Sequence, residues 1–536
     1  MAHGLYKGSV CLVLHAHLPY IRHPEYDYCL EENWLYEAIT ETYIPLLDVF
    51  SRLINDGIDF RITISLSPAL VEMFNDDLLM SRYRRHIEHL MELSEREAFR
   101  IKGDIHFEPI VKMYHERFLM VRHVFEDIYR GDLVSAFRAL EDTGKVEIIT
   151  TAATHAFLPH LASYPQAVKA QIKTGAEQHR KNFRGPAKGI WLPECGFSSG
   201  FDTYLNENGI RFFFLEAHGV VLAKPLPRCG VYAPILCPSN VAAFGRDPAT
   251  AKQVWSSLEG YPGDYDYRDF YRDIGYDLDL DYIKSYNNRY GARTYTGLKY
   301  YRITGNTSKK EPYIRQRAME KAAAHADNFI MNRELQIKYL LENLRMRPIV
   351  VAAYDAELFG HWWFEGPEWL ENLFRRIYST NVNFKTVTPS EYLSFQAYSE
   401  NLQVCEPSMS SWGDKGFHEV WLNNTNDYVY RHLLKATERM IILADRFPSA
   451  NGILQRAMNQ AAREILLSQF SDWTFIMKQG SFPQYAKRRF EEHISRFNIL
   501  YQAIVADTIP GDLLSAMEDK DRIFKDIDYR VYSSKQ

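Results

Sequence analysis

The six cysteines of this 536-residue chain (Cys11, Cys29, Cys195, Cys229, Cys237 and Cys405) are scattered, and none falls in a Cys-x-x-Cys pair. That spacing argues against a zinc ribbon and a disulfide scaffold and fits a reducing cytoplasm. Long apolar runs are missing too: none approaches the roughly 18–20 residues a membrane-spanning helix needs. The amino-terminal stretch MAHGLYKGSVCLVLHAHLPY has no basic region ahead of its short apolar run and no small-residue cleavage site, so it reads as a buried first strand. Positive charge is not in excess. With 63 Lys and Arg against 68 Asp and Glu, the net charge of -5 offers no field for phosphate backbones, and neither nucleic acid nor membrane is an expected partner.

Aromatic residues, by contrast, are plentiful: 35 Tyr and 9 Trp supply flat, partly polar rings suited to stacking on sugar faces as well as to core packing. The length allows two to four domains, or one large barrel with appended pieces, and therefore a buried active site. Short β-rich runs at 9–15, 59–65, 146–151, 189–192, 211–215 and 348–353 alternate with amphipathic helical stretches, which predicts a parallel sheet with crossover helices. Several of these runs end in polar residues: His15 and His17, Ser67, His155, Glu194 and Asp355. In α/β barrels that edge is where active sites are assembled. Beyond about residue 395 the β signal fades, and apolar residues recur at helical spacing over 427–447 and 454–470.

Two segments concentrate chemistry. In GIWLPECGF (189–197) an apolar run delivers Glu194 just after Pro193, where a strand must stop. A loop glutamate bridging to a neighbouring base is the alternative there. In IVVAAYDAELFGHWWF (349–364) a strand ends at Asp355, followed by Glu357, His361, Trp362 and Trp363, which is the wall and the acids a sugar site requires. Glycosidic chemistry needs one carboxyl to protonate the leaving oxygen and another to stabilise or capture an oxocarbenium-like centre. Apolar surroundings raise the proton affinity of Asp355, whereas Glu194 must ionise to attack. His15, His17, His155 and Asp355 could alternatively form an N₃O metal site of the kind used by polysaccharide deacetylases, but Asp355 would then have two tasks. The reading preferred is hydrogen bonding from these histidines, with no metal and no cofactor.

Together the segments HAHLPY, EIITTAATHAFLP, GIWLPECGF and AAYDAELFGHWWFEGP resemble, in order, four regions of glycoside hydrolase family 57, across nearly the whole chain. The resemblance implies an α/β fold: an incomplete (β/α)7 TIM-like barrel with a small inserted domain and a C-terminal all-helical domain. It maps Glu194 to the nucleophile and Asp355 to the general acid/base. EENWLYEAITETYIPLL and SSWGDKGFHEVWLNNTNDYVYRHL are similar to segments of the family's branching subgroup, which acts on α-glucans by retention, with transfer to a 4-hydroxyl or to water as related alternatives. The resemblance makes Trp34, Trp412 and Trp421 candidates for glucan stacking and brings Asp472 of the SDW segment to the cleft. His15, His17, His155 and Trp362 join them as substrate-binding candidates. Tyr261, between Gly260 and Gly263, is expected at the tip of a covering loop, and Tyr301 is a weaker aromatic candidate. The expected organisation is 1–195 and 246–395 as two parts of the barrel, 196–245 as the insertion and 396–536 as the helical domain, in a monomer or homodimer.

Overall fold

The computed structural model describes residues 6–256, 259–284, 286, 293–344, 346–395, 402–480 and 482–535. Nine strands form its sheet: β1 (Gly8–Ala16), β2 (Ile62–Leu66), β3 (Val146–Thr151), β4 (Gly189–Trp191), β5 (Phe212–Leu215), β6 (Ile235–Leu236), β7 (Ala242–Gly245), β8 (Ile349–Asp355) and β9 (Phe384–Thr386). Seven of them run parallel in the order β7-β5-β4-β3-β2-β1-β8, an arc that curls into an incomplete barrel. β6 adds an antiparallel edge beside β7. One edge of β1 is shared: β9 pairs with its first residues and β2 with its last, while β8 runs along the opposite edge. The ends of the arc do not pair as strands. They are bridged by single bonds, Asp247 N–H to the Val351 carbonyl at 2.9 Å and Arg246 Nη2 to the Ala353 carbonyl at 3.0 Å.

Strand alternation divides the core in two. In β1, Val10, Leu12, Leu14 and Ala16 face the large core between sheet and helices, while Cys11 and Val13 face the barrel interior with Trp191, Phe214, Phe244 and Val351. His15 continues the interior parity of Cys11 and Val13, and Asp355 continues that of Ile349, Val351 and Ala353. The register sets His15 opposite Asp355 at the same barrel end. The helices of the outer layer are represented by α1 (Pro165–Asn182), α2 (Arg315–Leu344) and α3 (Gly366–Ser379). Among the described residues no helix is long and apolar enough to cross a membrane.

The segment 196–245, expected as an insertion, instead contributes β5 and β7 to the parallel arc. β7 escapes notice because only four residues of it pair, inside a stretch broken by prolines and cysteines. The boundary expected at 395 falls against residues 396–401, which lie outside the described residues. Beyond them come α4 (Asp427–Arg446), α5 (Gly452–Ser468), α6 (Ser471–Gln479), α7 (Pro483–Val505) and α8 (Gly511–Lys520).

This helical region is bonded into the barrel. Thr154 Oγ1 donates to the Leu466 carbonyl, Gln171 Nε2 to Gln469 Oε1 at 2.8 Å, and Ser471 N–H to the His155 carbonyl at 3.2 Å. Residues 470–472 are thereby fastened to the loop after β3 at the mouth of the barrel.

α1 packs backbone to backbone on that same loop, and a Cβ at Gly175 would stand 2.3 Å from the Thr151 carbonyl oxygen. Gly175→Ala is expected to cost about 1–3 kcal/mol through overpacking. A fall of several degrees in the onset of thermal unfolding, followed by circular dichroism, checks this.

Candidate active site

Glu194 sits in a tight turn, Pro193–Cys195, directly after β4. Both Glu194 (φ 61°) and Cys195 (φ 51°) occupy the left-handed region, as does His155 (φ 50°) after β3. Non-glycine residues pay for that conformation, and such strain gathers where a side chain must be aimed. Here the turn points the Glu194 carboxyl into a cavity of about 720 Å³ at the C-terminal ends of the strands. Asp355, at the end of β8, lines the same cavity. β4 and β8 are four strands apart in the arc, and the curl of the sheet brings their ends together.

The two carboxyls have different surroundings. Trp412 Nε1–H donates to Glu194 Oε2 at 2.6 Å and Ser471 Oγ–H to Oε1 at 2.8 Å, while the Trp412 backbone N–H holds the Glu194 carbonyl at 2.8 Å. Asp355 accepts no hydrogen bond among the described residues. Burial pushes Glu194 up to about 7; Asp472 adds to the rise and the two donors oppose it. Burial, then the charges of Glu357 and Glu194, push Asp355 well above the carboxylate range, and only Arg246 opposes them. Arg246 is anchored by Glu216 Oε2 at 2.6 Å, and its guanidinium lies 5.0 Å over the Trp412 ring.

Two further carboxyls in the cavity are tied down. Glu357 accepts from the Tyr43 hydroxyl and the His17 backbone N–H, and Asp472 from His17 Nε2 at 2.9 Å. Burial lowers His15 and His155 well below the usual imidazole value, so both are neutral. Their Nε2 atoms are 2.9 Å apart, which requires one to donate and the other to accept. With Glu194 ionised, the Ser471 hydroxyl donates to it and accepts from His155 Nδ1–H at 3.0 Å. His155 Nε2 then accepts from His15, and His15 Nδ1 accepts from Ser65 Oγ at 3.3 Å. A directed row of donors therefore runs from β2 to the carboxylate of Glu194.

His17 stacks on His155 with ring centroids 3.8 Å apart, and its Nδ1 meets Ser67 Oγ at 3.0 Å. All six ring nitrogens of His15, His17 and His155 thus have hydrogen-bond partners. Ligand atoms of His17, His155 and Asp472 lie within 4.8 Å of one another, whereas Asp355 and His15 are not members of that group. Any ion there would have to displace the His17–Asp472 bond, so the residues present fit a hydrogen-bonded site better than a metal centre.

The aromatic candidates separate. Trp362, 51% exposed, stacks on Phe270 at 4.2 Å and presents a free face to the cavity. Trp412 lines the cavity as a donor to Glu194, while Trp421 is buried in the wall, stacked on Phe157 at 4.7 Å. Trp34 lies outside the cavity, edge-on to Phe482 and Tyr485. Tyr261 is no loop tip: it is buried, stacked on His325 at 4.4 Å, and its hydroxyl donates to Asn328 Oδ1 at 2.8 Å. Tyr301 packs edge-on to Phe107 beneath Arg272, away from the cavity. Sequence reasoning missed Arg246, Ser471, Trp255 and Phe475, which all lie in or beside the cavity. Trp255 ends a helix (Pro248–Trp255) behind the Arg-Asp-Pro turn, and Ser471 adjoins Asp472, the one signal that could have found it.

The family model described as glycosyl hydrolase family 57 matches residues 11–406, and one described as 1,4-alpha-glucan branching enzyme, C-terminal, matches residues 432–532. A 1,4-alpha-glucan branching enzyme of Thermococcus kodakarensis is 33% identical, over 98% of this chain and 79% of its own length. Among solved structures, an alpha-amylase of Thermotoga maritima aligns with a TM-score of 0.91 at 44% identity, covering 98% of this chain and 99% of the other. A branching enzyme of Thermococcus kodakaraensis, solved in complex with glucose and additives, aligns with a TM-score of 0.88 at 33% identity, covering 99% and 97%. With the first family model spanning well over half of the residues, the chain belongs to glycoside hydrolase family 57.

Proposed function

We propose that the protein is a 1,4-α-glucan branching enzyme acting by retention, in the cytoplasm, as a monomer or homodimer, with no cofactor. The observation that carries the chemistry is the contrast between the two free-facing carboxyls of one cavity. Glu194 has two donors ready to hold its ionised form, and Asp355 has none among the described residues. Asp355 therefore keeps the proton that the leaving 4-oxygen needs, and Glu194 attacks the anomeric carbon to form a glucosyl ester. Asp355, now ionised, takes the proton from an incoming 6-hydroxyl as that oxygen displaces Glu194, and an α-1,6 branch results. Trp362 is a stacking surface for the chain, and Trp412, His15, His17, His155 and Asp472 position Glu194 and the sugar hydroxyls.

Hydrolysis is the second reading, favoured by the 44% identity to a protein named an alpha-amylase. The two differ only in whether water or a sugar hydroxyl takes the glucosyl group. The helical region that supplies Ser471, Asp472 and Phe475 to the cavity, and whose sequence matches the branching-enzyme C-terminal family, supports transfer.

The mutational expectation is that Glu194→Gln and Asp355→Asn each lower kcat by at least about 10³-fold while leaving the circular dichroism spectrum unchanged. With amylose as substrate, new α-1,6 linkages should outnumber new reducing ends; an excess of reducing ends would replace branching with hydrolysis.

A pH dependence follows from the same pair. Glu194 must be ionised, so kcat/KM should fall as pH drops below about 7, the value to which burial raises this group. Trp412→Phe removes a donor that favours the ionised form, so the acid limb of the profile should move to higher pH. An unmoved limb would show that Glu194 does not set it.

A further inference from the structure

The EENWLYEAITETYIPLL segment does not carry Trp34 to the cleft, but it does build something else. Glu32, Asn33 and Tyr36 face a second cavity, of about 220 Å³, whose other walls include Tyr28, His86 and Tyr295. Its buried charge is already cancelled. Arg82 Nη1 donates to both oxygens of Glu32 at 2.7 and 2.9 Å, and the Tyr36 hydroxyl donates to Glu32 Oε2 at 2.9 Å.

His86 supplies what a neutral ligand could use. Its ring packs 5.4 Å from that of Tyr36, and neither ring nitrogen has a hydrogen-bond partner among the described residues. Burial brings it down to about 4, so at neutral pH it offers one donor and one acceptor without charge. The charged side chains Asp27 and Arg85 also line the cavity but are exposed, and the walls around His86 combine uncharged polar atoms with aromatic rings, which suits a sugar.

A row of aromatic rings links the cavity wall to the catalytic cleft. The Tyr295 ring, on its wall, lies 5.8 Å from Phe270, and Phe270 stacks 4.2 Å from Trp362 in the cleft. Lys299 holds this row in place, its Nζ 4.1 Å over Tyr295 and 5.0 Å over Phe270, fixed by a buried ion pair of 3.0 Å with Asp273. Two ring contacts therefore lead from one hollow to the other.

We propose that the second cavity is an α-glucan subsite that holds one glucosyl residue of a chain whose continuation passes over Tyr295 and Phe270 to Trp362. The identity of the ligand rests on the branching-enzyme reading; the cavity and its aromatic link do not. A chain long enough to reach both places binds the second intramolecularly, so long glucans gain affinity that short ones cannot.

The test titrates the full-length Glu194→Gln protein with maltotriose by isothermal calorimetry. Two sugars per chain are expected. In the same background His86→Leu, which removes the free imidazole, and Asn33→Trp, which fills the cavity, should each reduce the stoichiometry to one, with thermal unfolding matching the parent. One sugar in the parent, or two in both variants, overturns the subsite. If the parent binds no sugar at all, the branching-enzyme reading falls and the subsite falls with it.

Discussion

Two largely buried carboxyl groups that face one cavity resist carrying charge together, and the architecture around them decides which one does. Burial raises both Glu194 and Asp355. The bias comes from hydrogen bonds: an indole N–H and a hydroxyl reach Glu194, none reaches Asp355 among the described residues, and the charge of Glu194 opposes ionisation of Asp355. The donors originate far apart, Trp412 in the segment before the helical region and Ser471 at the start of α6. Holding them there requires the backbone bonds between 470–472 and the loop after β3.

The histidines extend the same logic outward. His15 and His155 are kept neutral by burial, so their shared bond has a direction, and that direction runs from Ser65 through both rings and Ser471 to Glu194. Protonating His155 would break the order by placing its Nε2–H against that of His15. The groups that order Glu194 are thus mostly uncharged hydrogen-bonding partners, which suits a substrate that is itself uncharged.

Much of the barrel could be read from the chain because strand alternation and strand-end chemistry are local. The parity that places Cys11, Val13 and His15 on one face is printed in β1, and the run from Ile349 to Asp355 carries its interior parity to the acid. What could not be read is tertiary. β7 is too short and too interrupted to announce itself. Trp34 and Tyr261 have the composition of exposed aromatics, and only the rings that pack against them, Phe482 and Tyr485 for one and His325 for the other, reveal that they face elsewhere. Arg246 and Ser471 belong to no strand-end pattern, and their importance comes from what they meet across the fold. Trp412, expected as a stacking surface, also donates a hydrogen bond to Glu194, a contact that residue type alone does not announce.

The dependence of Glu194 on groups from the last third of the chain has a consequence for how such a protein can be inherited. A barrel severed from its helices would keep both acids yet lose the serine donor at the nucleophile and the aspartate that clasps His17. The two portions are therefore not interchangeable modules. Recombination that swapped one without the other would have to rebuild, at a single stroke, a set of contacts spanning hundreds of residues, and descent should favour passing them on as an indivisible whole.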